Sequence, residues 1–293
     1  MRVTDGYMYD LANRRLMRSR SESVVSGDQV SSGKRVQAPW DDAAAAGLIT
    51  TFAQGKVRQT ALMTAANRAS EELGVVDGAF DHAITNLTRA RELAVQLSND
   101  TYSAADRANA AAEVTQIFGS LVSQLNLRFG DRYVFGGTRD QTPPFAANGA
   151  YLGDTNIRRV EIAPGVLQDA SIRADAAFTG AGGGVDVLTS LTSFATALST
   201  NDTTGIRAAI QALADGTSQL TAAHSRVGAM MNVFDTASST ARLNADAATD
   251  ARSGLEDIDI FDASSRFAAA ERALEATMSA SARSFKLSLL DRL

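Results

Sequence analysis

The chain has 293 residues, of which 45% are apolar and 21% charged, with a net charge of −5. That composition suits a soluble protein of two or three domains, and its weak acidity argues against a general nucleic-acid binder. With no cysteine there are no disulfides, thiol catalysis or thiolate metal sites. The opening MRVTDGYMYDLANRRLMRSR lacks the apolar run of a secretory signal. No stretch approaches the roughly 20 apolar residues of a membrane span. Composition leaves open a cytoplasmic protein or one exported without a cleaved signal.

Residues 1–30 begin an apolar face with Met8 and Leu11, which RRLMRSRSES interrupts. Helix is expected here only on a partner, with disorder in isolation. Gly27 to Lys34 has five residues between its glycines, and Arg35 stands where a phosphate-binding loop needs a hydroxyl, so it reads as a turn.

From residue 45, alternate steps of three and four pass through Ala45, Leu48, Phe52 and onward to Leu97. Fourteen of those sixteen positions are apolar, with Gly55 and Gln59 the exceptions. This is a heptad seam on one long helix of about 80 Å, weakened by each internal glycine by ~1 kcal/mol relative to alanine. After the polar loop Ser98–Tyr102, Ser103 and Asp106 have the spacing of a capping box. A helix carrying Ala110, Val114, Ile117, Leu121, Leu125 and Phe129 then folds back on the first.

Between 131 and 185 the pattern changes. In RYVFGGTRDQTPPF, Tyr133, Val134 and Phe135 read as an extended segment, Gly136-Gly137 as a turn, and Pro143-Pro144 before Phe145 as a block to helix. Ile157–Ile162 is an expected strand and Ala170–Phe178 a second, followed by a flexible Gly180–Gly184.

A second seam runs from Ile206 to Ala248, with ten of thirteen positions apolar. It can cover the first as an antiparallel pair. His224 lies on that seam and His82 on the first helix, and neither has the neighbours of a catalytic histidine. The acidic run Glu256, Asp257, Asp259, Asp262 lacks the calcium-loop pattern. It is expected to face the basic cluster Arg14, Arg15, Arg18 and Arg20. The last segment carries Phe267, Ala270, Leu274, Met278, Ala282, Phe285, Leu289 and Leu293 at a mean spacing near 3.7, which favours a nearly straight helix. That stripe has no evident cover within a monomer.

These residues resemble a known family. Gln29–Val36 (QVSSGKRV) followed by Pro39 and Asp41-Asp42 is similar to the N-terminal segment of bacterial flagellins and their relatives, which have serine where this chain has Trp40. Asn67–Leu97 with TRARELAV, Val227-Gly228, Leu255–Asp259 and the closing SLLDRL also fit. Within the family, Tyr133–Thr138 followed by Pro143-Pro144-Phe145, and Arg159–Gly165, resemble subunits of the hook–filament junction. Filament subunits open on an Ile-Asn-Thr-Asn type motif, where this chain has Arg2-Val3-Thr4.

The resemblance implies a mainly α, flagellin-like fold with a small β-containing insertion, its two arms forming a long antiparallel coiled-coil core. It implies a structural subunit and no enzyme or cofactor. The subunit would be exported unfolded by the flagellar type III apparatus and located extracellularly in the flagellum. Implied partners are further copies in a ring, hook-associated protein 1, flagellin and an export chaperone, with no nucleic acid or membrane. Expected divisions are an assembly segment at 1–42, a helical arm at 43–130, a variable domain at 131–185, a second arm at 186–254 and an assembly helix at 255–293. Expected assembly residues are Met8, Leu11, Arg14, Arg18, Phe267, Leu274, Met278, Phe285, Leu289, Leu290 and Leu293. Tyr133, Phe135, Gly136, Gly137, Pro143, Pro144 and Phe145 would mark the domain boundary. A short flagellin and a cytoplasmic coiled-coil scaffold stay open as alternatives.

Overall fold

The computed structural model describes residues 2–290, with side chains described for residue 7 and for 9–283. The elements are α1 (Arg2–Ser32), α2 (Ala43–Leu97), α3 (Ala104–Leu125), β1 (Arg128–Phe129), β2 (Arg132–Tyr133), β3 (Arg159–Ala163), β4 (Val166–Asp169), α4 (Ala174–Phe178), α5 (Val187–Ser199), α6 (Thr203–Glu256) and α7 (Ile260–Leu290). They form two compact units. Residues 58–243 make the middle unit, and the described residues on either side make the terminal unit. Both α2 and α6 supply residues to each.

In the middle unit the two seams meet. Asn67 pairs with Ser238, Ser70 with Asp235 at 2.8 Å, and Asp77 with His224 at 2.7 Å. The rising order on α2 against the falling order on α6 makes the pair antiparallel. From Leu62 to Leu97 the seam positions of α2 are buried. The Ser103 hydroxyl accepts from the Asp106 amide and the Asp106 carboxylate accepts from the Ser103 amide, so α3 starts with the expected capping box. It folds back on α2, where Arg89 meets Glu113 at 2.9 Å. A Cβ added at Gly216 of α6 would touch Leu87 of α2 and Val187 of α5, each at 3.3 Å, so glycine lets three helices close together.

The expected strand at 157–162 is β3, antiparallel to β4 around Gly165, whose φ is 76°. The expected strand at 170–178 is instead a loop and the short helix α4. Its Ala-Asp-Ala-Ala-Phe run favours helix, and the Arg173 guanidinium holds Asp175 of its first turn at 2.5 Å.

The divisions expected at 131 and 186 are not packing boundaries, because residues 58–243 share one core. Phe135 and Phe178 from the 131–185 segment pack on Phe80 of α2, and Phe145 joins them through Phe178. Phe80 and Phe178 stack at 5.3 Å between ring centroids, while Phe135 and Phe145 meet Phe178 edge-on at 5.8 and 6.2 Å. Offset and edge-to-face arrangements of this kind are the favoured aromatic geometries.

In the terminal unit α1 is a helix covered by α7 of its own chain, whereas cover by a separate partner was expected. Gly27 lies against Phe267, and Ala12 and Arg15 share a small cavity with Ala276, Thr277, Ala280 and Ser281, so the pair is antiparallel. On α7 the covered track is Ala263, Phe267, Ala270, Leu274, Thr277 and Ser281, in alternate steps of four and three. The expected 3.7-residue stripe therefore departs from the covered track at Met278, which is 55% exposed. Ser281, and not Ala282, turns inward.

Candidate assembly surface

The terminal unit has helices but little core. Its buried apolar side chains are Val36, Ala45, Ala245 and Ala263, among the described residues. The track on α1 that faces α7 is Ala12, Leu16, Ser19, Ser23, Gly27 and Val30. Four of those six are Ala, Ser or Gly, which permits close approach and provides little burial. A Cβ on Gly27 would sit 3.1 Å from Phe267.

Several large apolar side chains are turned outward among the charged ones. Tyr7, Met17, Val24, Val25, Trp40, Leu48, Val57, Ile260, Phe261 and Met278 are all at least 46% exposed. Trp40 at 87% and Phe261 at 86% exceed every other large apolar side chain described. The terminal unit therefore exposes more large apolar side chains than it buries, among the described residues.

Two turns shape that unit, one between α1 and α2 and one between α6 and α7. The Glu256 carbonyl accepts from the Arg35 amide at 2.7 Å, and the Ile258 amide donates to the Gly33 carbonyl at 3.1 Å. Arg35 donates to the Leu255 carbonyl at 2.8 Å and pairs with Asp42 at 3.2 Å. The Glu256 carboxylate receives Arg252 and Lys34, each at 2.5 Å, and these bonds hold its pKa down to about 2. The Asp42 carboxyl is also lowered, first by the Ala45 amide and then by Arg35. This turn carries Trp40.

The structure places the predicted assembly residues unevenly. Leu11, Phe267 and Leu274 are half-buried along the α1–α7 contact, and Met278 is outside it. Arg14 is exposed and donates to the Asp10 carbonyl at 3.3 Å, and exposed Arg18 pairs with Glu22 at 3.1 Å. The side chains of Met8, Phe285, Leu289 and Leu290, and all of Leu293, lie outside the described residues. The acidic run does not meet Arg14, Arg15, Arg18 and Arg20. Antiparallel pairing sets the start of α7, and the α6–α7 turn before it, beside the C-terminal end of α1, so Glu256 takes Lys34 and Arg252 while Asp262 takes Arg266.

The two ends of RYVFGGTRDQTPPF go to the middle unit's core, while residues 138, 139 and 141–143 between them are exposed. Phe135, Pro144 and Phe145 are buried and Pro143 is exposed. Half-buried Tyr133 pairs Arg128 in β1, whose guanidinium lies 5.1 Å from the ring centroid. Gly137 has φ 68°, and a Cβ there would collide with the Asp154 carboxylate. That carboxylate accepts from the Thr138 hydroxyl and amide and from the Asn156 amide, and its pKa is drawn down to about 2, mainly by Thr138. The Phe145 amide and carbonyl both bond the Asn126 side chain, at 3.0 and 2.9 Å. The segment is a tightly bonded plug of aromatic side chains.

Sequence reading missed three features. Trp40 and Phe261 belong to no periodic face, although Trp40 already stood out as the departure from the family's serine. The serines of α1 lie on the covered track yet read as polar. Buried Glu72 of α2 holds Arg158 at 2.5 Å and Arg132 at 3.5 Å, a pairing across distances that spacing does not reveal. Among the described residues, no group of three side chains could hold a metal ion and no helix is long and apolar enough to cross a membrane.

Residues 5–140 match the family model of the bacterial flagellin N-terminal helical region, and residues 210–293 match that of the flagellin C-terminal helical region. Together they take in well over half of the chain. The chain belongs to the bacterial flagellin family. A curated relative, flagellar hook-associated protein 3 of Escherichia coli K12, is 30% identical over 155 residues, covering 52% of this chain and 49% of that protein. A Listeria monocytogenes flagellin is 32% identical over 120 residues, covering 40% and 39% respectively. The chain thus spans about half or less of the curated relatives it matches. The solved structure of a flagellar hook-associated protein of Vibrio parahaemolyticus superposes with a TM-score of 0.68, covering 74% of this chain and all of that one, at 17% identity, which shows a shared fold. The mainly α, flagellin-like architecture expected from the sequence is the one observed.

Proposed function

We propose that this chain is a structural subunit of the bacterial flagellum, placed at the junction between the hook and the filament. The observation that carries the reading is the contrast between its two units. The middle unit buries a continuous core, while the terminal unit turns large apolar side chains outward and keeps few inside. A family subunit built this way completes its terminal unit by packing on neighbours, which bury what a monomer exposes. The family's assembling members and the hook-associated relative support the junction position. Its partners there are further copies in a ring, hook-associated protein 1 on the hook side and flagellin on the filament side. A chaperone would cover the exposed terminal faces before export through the type III apparatus.

Immunolabelling of purified flagella tests the position. A single band where hook meets filament is expected, and labelling along the whole filament would replace this reading with that of a short flagellin. The flagellin match favours that second reading, and copy number separates the two, a few subunits for a junction against thousands for a filament. Label confined to the cell interior would overturn both.

A further inference from the structure

A cavity in the middle unit lies apart from the terminal faces that the assembly reading uses. It holds about 550 Å³ and is lined by the β3–β4 hairpin and its flanks, α4, the Gly180–Gly184 loop and α6. That volume falls within the roughly 300–1,000 Å³ of small-molecule sites. Gln219 of α6 holds its walls together. The Gln219 side chain donates to the Ala177 and Val185 carbonyls at 2.8 and 3.0 Å and accepts from the Val185 amide at 2.8 Å. These bonds tie α4 and the end of the glycine loop to α6, so the cavity is formed without a ligand. A Cβ at Gly184 would collide with that side chain, and glycine there lets the loop close on it.

The lining carries one uncompensated charge. Its ionised side chains are Asp169, Arg173 and Arg226. Asp169 pairs with Arg159 at 3.0 Å and Arg173 with Asp175 at 2.5 Å. Arg226 has no hydrogen bond or ion pair among the described residues. Ser171, also in the lining, is only 6% exposed. Its oxygen accepts from the Arg158 amide at 2.9 Å, which leaves the O–H free to donate. The rest is mainly apolar, with Ile157, Ile172 and Met230 beside the alanines of α4 and α6. Apolar walls with one free cation and one hydroxyl donor complement an apolar molecule that bears a single anionic head. A cationic ligand would be repelled by Arg226, and a neutral one would gain nothing from its charge.

We propose that this cavity binds a small organic acid, its carboxylate held by Arg226 and Ser171 and its apolar body against Ile157, Ile172 and Met230. Every lining residue belongs to the middle unit of one chain, so the site does not depend on where the subunit stands in the flagellum.

Methyl NMR of the isoleucines and methionines follows the site directly in the full chain. Naphthoate is the probe and naphthamide, its neutral analogue, the control. Naphthoate should move the methyl signals of Ile157, Ile172 and Met230 to saturation. Naphthamide should bind roughly tenfold more weakly, because hydrogen bonds to a charged group are stronger than neutral ones. Arg226→Gln should lower naphthoate affinity by a similar factor and leave that of naphthamide unchanged. Arg226 is exposed, so this change should not alter the thermal melt. Signals that stay in place, acid and amide binding equally, or naphthoate affinity unaffected by Arg226→Gln each overturn the proposal. Shifts confined to Met17, Ile260 and Met278 of the terminal unit overturn it as well, since naphthoate would then be covering exposed apolar surface only.

Discussion

Phe135 contributes to the fold through three kinds of neighbour at once. Its ring packs on Phe80 and Phe178, its carbonyl accepts from the Tyr151 hydroxyl at 3.1 Å, and Gly136-Gly137 turns the chain immediately after it. The same Tyr151 hydroxyl donates to the Asp154 carbonyl at 2.7 Å, and burial pushes its pKa up to about 12. Because Phe135 is fully buried, Phe135→Ala leaves a cavity that rigid helices cannot close. Chemical denaturation should show a loss of about 3–5 kcal/mol. Substitution at Pro143, which is exposed, should change stability by less than about 0.5 kcal/mol. Equal effects at both positions would show that RYVFGGTRDQTPPF is an outer boundary loop.

At the scale of elements, one carboxylate adds its ion pairs to the backbone hydrogen bonds that join the two turns of the terminal unit. Glu256 closes α6 through Arg252 and reaches the α1–α2 turn through Lys34. Its folded pKa of about 2 lies below the ordinary 4.5. The bound carboxylate therefore stabilises the fold fully above about pH 4.5, and that contribution is lost as pH falls toward about 2. The stability difference between wild type and Glu256→Gln should be largest at neutral pH, shrink between about pH 4.5 and 2 and disappear only below about pH 2, measured by thermal melts followed by circular dichroism. A difference independent of pH would mean that the side chain's shape, and not its charge, holds the turns. The α1–α7 pair illustrates another limit of pattern reading. The heptad on α1 is made of small residues, so a count of apolar positions does not detect it, and RRLMRSRSES reads as a break although the helix continues through it.

For the whole molecule, the division of labour between units predicts how a truncated chain behaves. Deleting residues 285–293 removes apolar residues from the terminal unit and none from the middle unit's core. We expect the deletion to abolish incorporation into flagella while limited proteolysis still yields an intact fragment near residues 58–243. Normal incorporation would show that the closing residues of α7 are dispensable for assembly. Loss of the protected fragment would show that the middle unit depends on them for folding.

The sequence by itself determined the long helices, because a heptad of apolar residues sustained over 45–97 and again over 206–248 fits no other structure. It determined the capping box of α3, where local hydrogen bonds suffice, and the family, whose motifs lie in order along both arms. The tertiary structure decided what the aromatic and proline residues between 131 and 145 are for, since only packing brings Phe135 onto Phe80 and Phe145 onto Phe178 from far along the chain. It also decided that Glu72 pairs with two distant arginines, that α7 is covered along a 3.5-residue track from Ala263 to Ser281, and that Trp40 stands in water. Periodicity records the local geometry of a helix. Burial and charge pairing depend on which distant segments meet, and no spacing along one chain encodes that.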